Sequence, residues 1–347
     1  MATSSGRETE ATQQALAKAM RGLALRCANE GWPIQAEVLL HEAAALSGDS
    51  FPDRSLAGGY EPGAPFLATF EGENFGRFQV RRRGEGLAPC HSARALWVWR
   101  YLLSTPHRMA TKGELATRLW PNATGERAYH SLHVAVAALR LYLDDGGESP
   151  IRFGNDCYML RDDLSINQDS DCFQSLVDQG KQLARDGQLQ RAEEALAASL
   201  ALYTGDYDLS GLDFAWAFVE QQKYVATYLD ALDSSGSIAF EQERYGQAIA
   251  RFRRLLNRDP YREDILAKLM IAFHRLGRRS DAAREYARCA FLLARDLSVE
   301  PSGELKRVYR ALLGVDPPAN VERFLQQAPG SIAPRLPVRI MTLEDED

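Results

Sequence analysis

Basic and hydroxyl-bearing side chains recur along one side of the stretch GERAYHSLHVAVAALRLYL, residues 125–143. The spacing of Arg127, His130, His133 and Arg140 places them on one face of a helix, with Ser131 beside them. Arginine, histidine and serine donate hydrogen bonds to phosphate oxygens and to acceptor atoms on base edges. This face therefore has the chemistry to contact a nucleic acid, although solvated helix surfaces show the same pattern.

Apolar residues interrupt this polar face. Val134, Ala137 and Leu141 lie between the polar residues, where they can touch thymine methyl groups or be covered by a protein partner. The opposite face repeats apolar residues at spacings of three and four, which predicts that it packs into a core. Its members are Ala128, Leu132, Ala135, Val136, Leu139 and Leu143.

Two further segments offer groups to an anion. The stretch TKGE begins the preceding predicted helix, and its Thr111 and Glu114 have the spacing of a capping box. Lys112 stands at this helix N-terminus, where the helix dipole favours phosphate. Downstream, Arg152 and Asn155 belong to a predicted hairpin, PIRF and CYML around GND, which would carry them to a groove edge or a phosphate.

The elements that must position these residues follow the order strands, three helices, hairpin. FLATF and GRFQV are short β-type runs separated by EGENF, which predicts a hairpin. Helices are predicted from Ser92, from Thr111 to Trp120, and over residues 125–143, after which the PIRF–CYML hairpin follows. This order predicts a winged helix with an additional N-terminal sheet over residues 66–163.

A helical repeat with a period of 34 residues comes next, because RYGQAIARF at Arg244 aligns with RRSDAAREY at Arg278. Its small and proline positions match those of a tetratricopeptide repeat, and GKQLARDGQLQRAEEAL fits as an earlier unit. Small residues let paired helices approach closely, so we predict an α-solenoid over residues 164–313. The repeat positions are Gly180, Ala192, Leu196, Gly236, Ala248, Phe252, Pro260, Ala282 and Tyr286.

Three segments flank these two domains. We predict a helical hairpin over residues 1–47, a linker rich in Gly, Pro and Ser over 48–65, and a tail over 314–347. The tail includes one short helix around residues 321–326. The fold class expected for the whole chain is mainly α with a small β component.

Composition excludes several classes of protein. The 347 residues carry a net charge of −6, and no apolar run is long enough to span a membrane. Five scattered cysteines without a CxxC spacing indicate free thiols and a cytoplasmic location. We find no spacing typical of a metal site, a phosphate-binding loop or a nucleophile elbow, and therefore expect no enzyme and no cofactor.

The charge is unevenly divided along the chain. Residues 66–162 hold 13 basic against 10 acidic residues, a charge of +3, whereas the remainder carries −9. A mildly basic module within an acidic chain is compatible with DNA binding by that one domain.

Five stretches within residues 66–313 carry a resemblance to a known family: ATKGELATRLWP, SLHVAVAALR, LYTGDY, DPYREDILAKLMIAFHRLGRRSDAAREYARC and LSVEPSGEL. They resemble the SARP or BTAD family of transcriptional regulators. In that family an OmpR-type winged helix is followed by a tetratricopeptide-like bacterial transcriptional activator domain.

The resemblance implies DNA recognition by the third helix, phosphate contact by the wing and the first helices, and RNA polymerase contact by the loop before the third helix. In this sequence the implied polymerase-contact residues are Trp120, Pro121, Asn122 and Thr124. Family members often carry Arg or Asn where this chain has Tyr129, His130 and Ser131, and a basic residue at Ala138. Fewer cations predict weaker or more cooperative binding.

The sequence thus predicts a regulator that binds double-stranded promoter DNA and, as an activator, recruits RNA polymerase. Its repeat domain would hold a homodimer, a protein partner or a small-molecule effector, and no membrane is involved. The alternative is an adaptor that does not bind DNA and uses the solenoid and the third helix for protein contacts. The predicted DNA-contact residues are Lys112, Arg127, His130, Ser131, His133, Arg140, Arg152 and Asn155.

Overall fold

The computed structural model describes residues 69–123, 125–144, 146–161 and 164–327. The predicted N-terminal hairpin and linker lie outside the described residues, as does the tail beyond Gln327. Within the described part of the tail, a short helix spans Val321–Gln327, as the sequence predicted.

The described chain forms two compact units. The first, called the winged-helix unit, comprises the described residues up to Leu176 together with Ala201–Ala226. The second, called the repeat unit, comprises Val177–Leu200 and the described residues from Thr227 onward. The strands are β1 (Phe70–Glu73), β2 (Gln79–Arg82), β3 (Glu85–Gly86), β4 (Met109–Thr111), β5 (Ile151–Gly154), β6 (Cys157–Leu160) and β7 (Ile166–Gln168). The helices are α1 (Ala93–Ser104), α2 (Lys112–Leu119), α3 (Glu126–Tyr142), α4 (Asp169–Arg185), α5 (Leu189–Leu202), α6 (Ala215–Glu241), α7 (Tyr245–Arg258), α8 (Glu263–Arg275), α9 (Arg279–Leu297), α10 (Gly303–Leu313) and α11 (Val321–Gln327).

Two small sheets frame the three helices of the winged-helix unit. The first has the strand order β3-β2-β1-β7, with β1 antiparallel to β2 and parallel to β7. The second has the order β4-β6-β5 and is antiparallel throughout. The first three residues of FLATF lie outside the described residues, and β1 begins at Phe70, with Phe70 and Gly72 on its buried face. The first three residues of EGEN therefore belong to β1 and not to the turn. The Glu73 carboxylate forms an ion pair with Arg81 of β2 at 3.0 Å.

The core of the winged-helix unit lies between α1, α3 and the sheets. Trp99 on α1 is almost fully buried and contacts the Phe70 ring edge-on at 5.5 Å between centroids. Leu115, Leu132 and Leu139 are also fully buried there. Burial of large side chains on both α2 and α3 fixes the direction in which the remaining face of α3 points.

Residues 201–226 belong to the winged-helix unit, so the compact units divide the chain differently from the predicted ranges 66–163 and 164–313. The backbone N–H of Asp208 donates to the Asn74 carbonyl at 2.8 Å, and the Asp208 carboxylate accepts from the Phe78 N–H at 2.8 Å. The buried Arg100 guanidinium lies 4.4 Å from the Phe78 ring and 5.0 Å from the Tyr207 ring and donates to the Asp208 carbonyl. These hydrogen bonds and cation–π contacts attach residues 201–226 to the rest of the winged-helix unit.

The repeat unit consists of paired helices with the small residues where the period placed them. A Cβ added at Gly180 would lie 2.7 Å from Leu196, and one added at Gly236 would lie 2.6 Å from the Phe252 ring. Such distances are shorter than van der Waals contact, so only glycine permits these helix pairs to approach so closely. Pro260 lies in the turn between α7 and α8, as the repeat predicted.

Candidate nucleic-acid interface

The inner face of α3 is buried, as its apolar periodicity predicted. It packs against α1 and α2. The buried members are Ala128, Leu132, Ala135, Val136 and Leu139 on the helix, with Leu143 at its C-cap. The helix begins after Gly125, whose φ of 52° is a conformation that glycine adopts without steric cost.

The outer face of α3 is open to solvent and is defined by Arg127, His130, Ser131, His133, Val134, Ala137 and Leu141. All are exposed except Ser131, which is half-buried. The side chains of its four polar members make no hydrogen bond or ion pair with other described residues. Val134 is 56% exposed and Leu141 is 77% exposed. The outer face therefore combines unpaired donors with an apolar strip.

Arg140 lies at the edge of the polar side of α3 and is half-buried. Its guanidinium donates to the Ile151 carbonyl of β5 at 3.1 Å. Its Nε is buried and has no partner among the described residues. The side chain therefore joins α3 to β5, and its contact with DNA stays a prediction.

The wing is the two-residue hairpin that GND predicted. Asn155 has φ 52° and Asp156 has φ 59°, and Gly154 pairs with Cys157 across the turn. Two consecutive positive φ values are typical of a type I′ turn, for which Asn and Asp are favoured. Asn155 is exposed at the tip of this wing.

Arg152 on the wing is exposed but has a partner. It forms an ion pair with Glu148 at 2.9 Å, and both side chains are more than half exposed. An ion pair in this setting contributes only about 0–1 kcal/mol. A phosphate can therefore replace Glu148 at little cost.

Lys112 lies where α2, α3 and the wing meet. Its Nζ is 4.3 Å from the centroid of the Tyr129 ring on α3. Its backbone N–H donates to the Asp156 carbonyl of the wing turn at 2.8 Å. The structure thus brings Lys112, Asn155 and the start of α3 together, as a shared ligand would require.

The capping box at TKGE forms only in part. The Glu114 N–H donates to Thr111 Oγ1 at 3.1 Å, which caps α2. The Glu114 carboxylate instead accepts from the Tyr101 hydroxyl at 2.6 Å. Burial, together with this hydrogen bond, raises the pKa of Tyr101 to about 12. Tyr101 therefore anchors the first turn of α2 to α1.

The loop before α3 presents fewer of its predicted contact residues than expected. Trp120 is buried, with its ring centroid 6.2 Å from that of Trp97, so its ring packs in the core of the winged-helix unit. Pro121 and Asn122 are exposed. Thr124 lies outside the described residues.

Sequence reasoning missed Phe153 on the wing. This residue is 50% exposed, and its ring centroid is 4.6 Å from that of Tyr158. Side chains along β5 point alternately to the two faces of its sheet, and β5 lies at the edge of that sheet. A residue on the inner face of β5 is therefore only half covered. The sequence signal that could have identified Phe153 is an aromatic residue in the run IRFG, next to a predicted turn.

Among the described residues, no helix is long and apolar enough to cross a membrane. In the same part of the chain, no group of three or more histidine, cysteine or acidic residues is arranged to hold a metal ion.

Comparison with known proteins identifies one domain and several relatives. Residues 168–313 match the bacterial transcriptional activator domain, BTAD. The regulatory protein AfsR of Streptomyces coelicolor is 27% identical over 216 residues, which cover 62% of this chain and 21% of AfsR. The regulatory protein DnrI of Streptomyces peucetius is 28% identical over 163 residues, which cover 46% of this chain and 60% of DnrI.

A solved structure shares the fold. It is Mycobacterium tuberculosis EmbR in complex with a low-affinity phosphopeptide, with a TM-score of 0.60, 23% identity and coverage of 74% of this chain and 68% of that chain. Of the two regulatory proteins named above, this chain spans only about a fifth of AfsR and 60% of DnrI. The architecture, mainly helical with a winged helix and tetratricopeptide-like repeats, is the one the sequence predicted. Residues 168–313 thus form a bacterial transcriptional activator domain, and together with the named relatives this domain supports a transcriptional regulator of the SARP/BTAD type.

Proposed function

We propose that the chain regulates transcription by binding promoter DNA through the outer face of α3. In this arrangement α3 enters the major groove, and Lys112, Asn155 and Arg152 contact phosphates on its borders. The exposed Pro121 and Asn122 contact RNA polymerase, and the repeat unit receives a second copy, a protein partner or an effector. The protein then activates initiation by recruiting polymerase.

One observation carries this proposal: the outer face of α3 is solvent-exposed and its donors are unpaired. A helix whose polar side chains already bonded one another would lose those bonds on entering a groove, and its affinity would fall accordingly. Arg127, His130 and His133 have no such bonds within the described chain. The inner face is buried, so α3 can present these donors without rearrangement.

Arg127→Ala is expected to weaken duplex binding about tenfold and to reduce the salt slope, d log K/d log[salt], by about 1 in magnitude. The duplexes are first selected from a randomised pool with the whole protein, and affinity is then measured by fluorescence anisotropy at several salt concentrations. Arg140 is left unchanged, because its bond to Ile151 makes any loss ambiguous.

Arg279→Ala is the matched control for this measurement, because Arg279 is an exposed arginine at the start of α9 in the repeat unit. It removes the same charge and should leave the salt slope unchanged. Failure to select any duplex, or equal losses in both variants, would contradict docking through α3.

Thymine methyl groups are the expected partners of the apolar strip on α3. In the major groove the thymine C5-methyl is the apolar group that base edges present. Replacing contacted thymines by uracil is expected to weaken binding about fourfold for each methyl, since each buried carbon is worth about 0.8 kcal/mol. In the variant Val134→Ala, replacing thymine by uracil should weaken binding less than it does for the wild-type protein. Equal affinity for thymine and uracil duplexes would refute methyl contact while leaving DNA binding intact.

An adaptor without DNA affinity is the second candidate, and the exposure of Val134, Leu141 and Phe153 favours it. Exposed apolar patches mark protein interaction sites, and Val134 and Leu141 share one face of α3. Under this alternative no duplex is selected, and capture of a protein partner depends on Leu141 but not on Arg127.

A further inference from the structure

Many arginines of the repeat unit form ion pairs with carboxylates, whereas Arg251 on α7 does not. Its side chain is half-buried, yet it makes no hydrogen bond or ion pair with any described residue. The contrast is with neighbouring pairs, which are Arg253–Glu285 at 2.9 Å, Arg262–Asp264 at 2.7 Å and Arg278–Asp281 at 2.7 Å.

A second arginine without a carboxylate partner lies one turn further along α7. Arg254 donates to the Tyr228 hydroxyl on α6 at 2.8 Å, and its guanidinium carbon is 5.6 Å from the centroid of that ring. Tyr228 is buried, so it holds the Arg254 guanidinium in place. Because residues three apart share a helix face, Arg251 and Arg254 point to the same side.

The carboxylate that attracts Arg251 is already occupied. Glu193 on α5 accepts hydrogen bonds from Arg244 at both oxygens, one of them at 2.7 Å. Burial and then repulsion from Arg254 lower the pKa of Arg251, and the attraction of Glu193 opposes them only in part. Arg244 and Arg251 therefore share one carboxylate, and Arg254 adds a third guanidinium beside Arg251, which leaves a surplus of positive charge.

The backbone fixes the position of Arg251. At Gly236, α6 passes so close to α7 that a Cβ would lie 3.2 Å from the Arg251 Cβ. The first part of the arginine side chain is thus held against α6, which limits the directions in which its guanidinium can extend. A partly desolvated cation in a fixed position is destabilising unless an anion compensates it.

We propose that Arg251 and Arg254 form a binding site for a small oxyanion, the phosphate or carboxylate group of an effector molecule. A guanidinium offers parallel N–H donors that match the two oxygens of either group. The site lies wholly within the repeat unit and is independent of DNA binding by α3. Occupancy would offset the repulsion between the two arginines and stabilise the α6–α7 pair.

Inorganic phosphate, and citrate in a parallel arm, are the probes. At constant ionic strength, phosphate at ten times its Kd is expected to raise the midpoint of thermal unfolding by about 4 °C, followed by circular dichroism at 222 nm. Isothermal titration calorimetry gives the Kd. A larger response to phosphate than to citrate identifies a phosphate-bearing effector, and the reverse order identifies a carboxylate.

Arg251→Gln and Arg254→Lys should each abolish most of the rise, whereas Arg275→Gln should retain it. Arg275 is an exposed arginine on α8 and provides the matched charge change. The Lys variant keeps the charge and loses the fork, so it separates bidentate binding from general attraction. The proposal is overturned if phosphate and chloride give the same midpoint, if the response does not saturate, or if Arg251→Gln responds like the wild type.

Discussion

Replacing Leu139 by Ala is expected to lower the free energy of unfolding of the winged-helix unit by about 2–5 kcal/mol. Leu139 is fully buried on the inner face of α3, where truncation removes apolar contacts and leaves a cavity. Urea unfolding followed by tryptophan fluorescence measures the effect, because Trp97, Trp99, Trp120 and Trp216 all lie in this unit. No tryptophan occurs in the repeat unit, and the fifth tryptophan, Trp32, lies outside the described residues, so the measurement is made in a Trp32→Phe background.

Leu141→Ala is the matched control, two residues along the same helix. Its side chain is largely in solvent, so the same truncation should change the free energy of unfolding by less than about 0.5 kcal/mol. If both variants were equally destabilised, the division of α3 into an inner and an outer face would be wrong, and with it the proposed docking.

Gly236→Ala is expected to destabilise the repeat unit by about 1–3 kcal/mol, the usual effect of overpacking. The new methyl group would lie 2.6 Å from the ring of Phe252, which is fully buried and cannot turn aside. The substitution would therefore force α6 and α7 apart. Thermal unfolding followed by circular dichroism at 222 nm reports the loss of these helices.

Gly246→Ala on α7 should have the opposite sign. No atom lies within 4 Å of the position of an added Cβ, and the site is exposed. Alanine restricts the unfolded chain more than glycine, so stability should rise by about 0.4–1 kcal/mol. A loss at Gly246 comparable with that at Gly236 would show that the effect does not arise from the close approach of α6 and α7.

Patterns that depend on neighbouring residues could be predicted from the sequence. The buried face of α3 followed from apolar residues three and four apart, since the helix period alone decides which side chains share a face. The turn at Asn155 followed from its residue type, because few residues tolerate positive φ. The 34-residue period likewise predicted a close approach of paired helices at Gly236, and the structure shows that Phe252 is the side chain met there.

Contacts between distant parts of the chain could not be predicted. Arg140 lies on the polar side of α3 by periodicity, and only the position of β5 shows that it bonds to Ile151. Glu114 had the spacing of a capping box, but Tyr101 on α1 competes for its carboxylate. Trp120 was assigned to a contact loop, although its ring completes the core beside Trp97. In each case tertiary packing, which periodicity does not contain, decided the outcome.

The contact between Arg100 and Asp208 joins residues 108 positions apart. A ribosome releases the chain from its N-terminus, so β1, β2 and α1 emerge long before residues 201–226 have been synthesised. In the nascent protein the Arg100 guanidinium therefore stays hydrated beside Phe78, without the Tyr207 ring that later covers it. The winged-helix unit forms its contacts with Tyr207 and Asp208 only after α4 and α5 have been translated. Its folding is therefore completed late and depends on synthesis of the downstream chain.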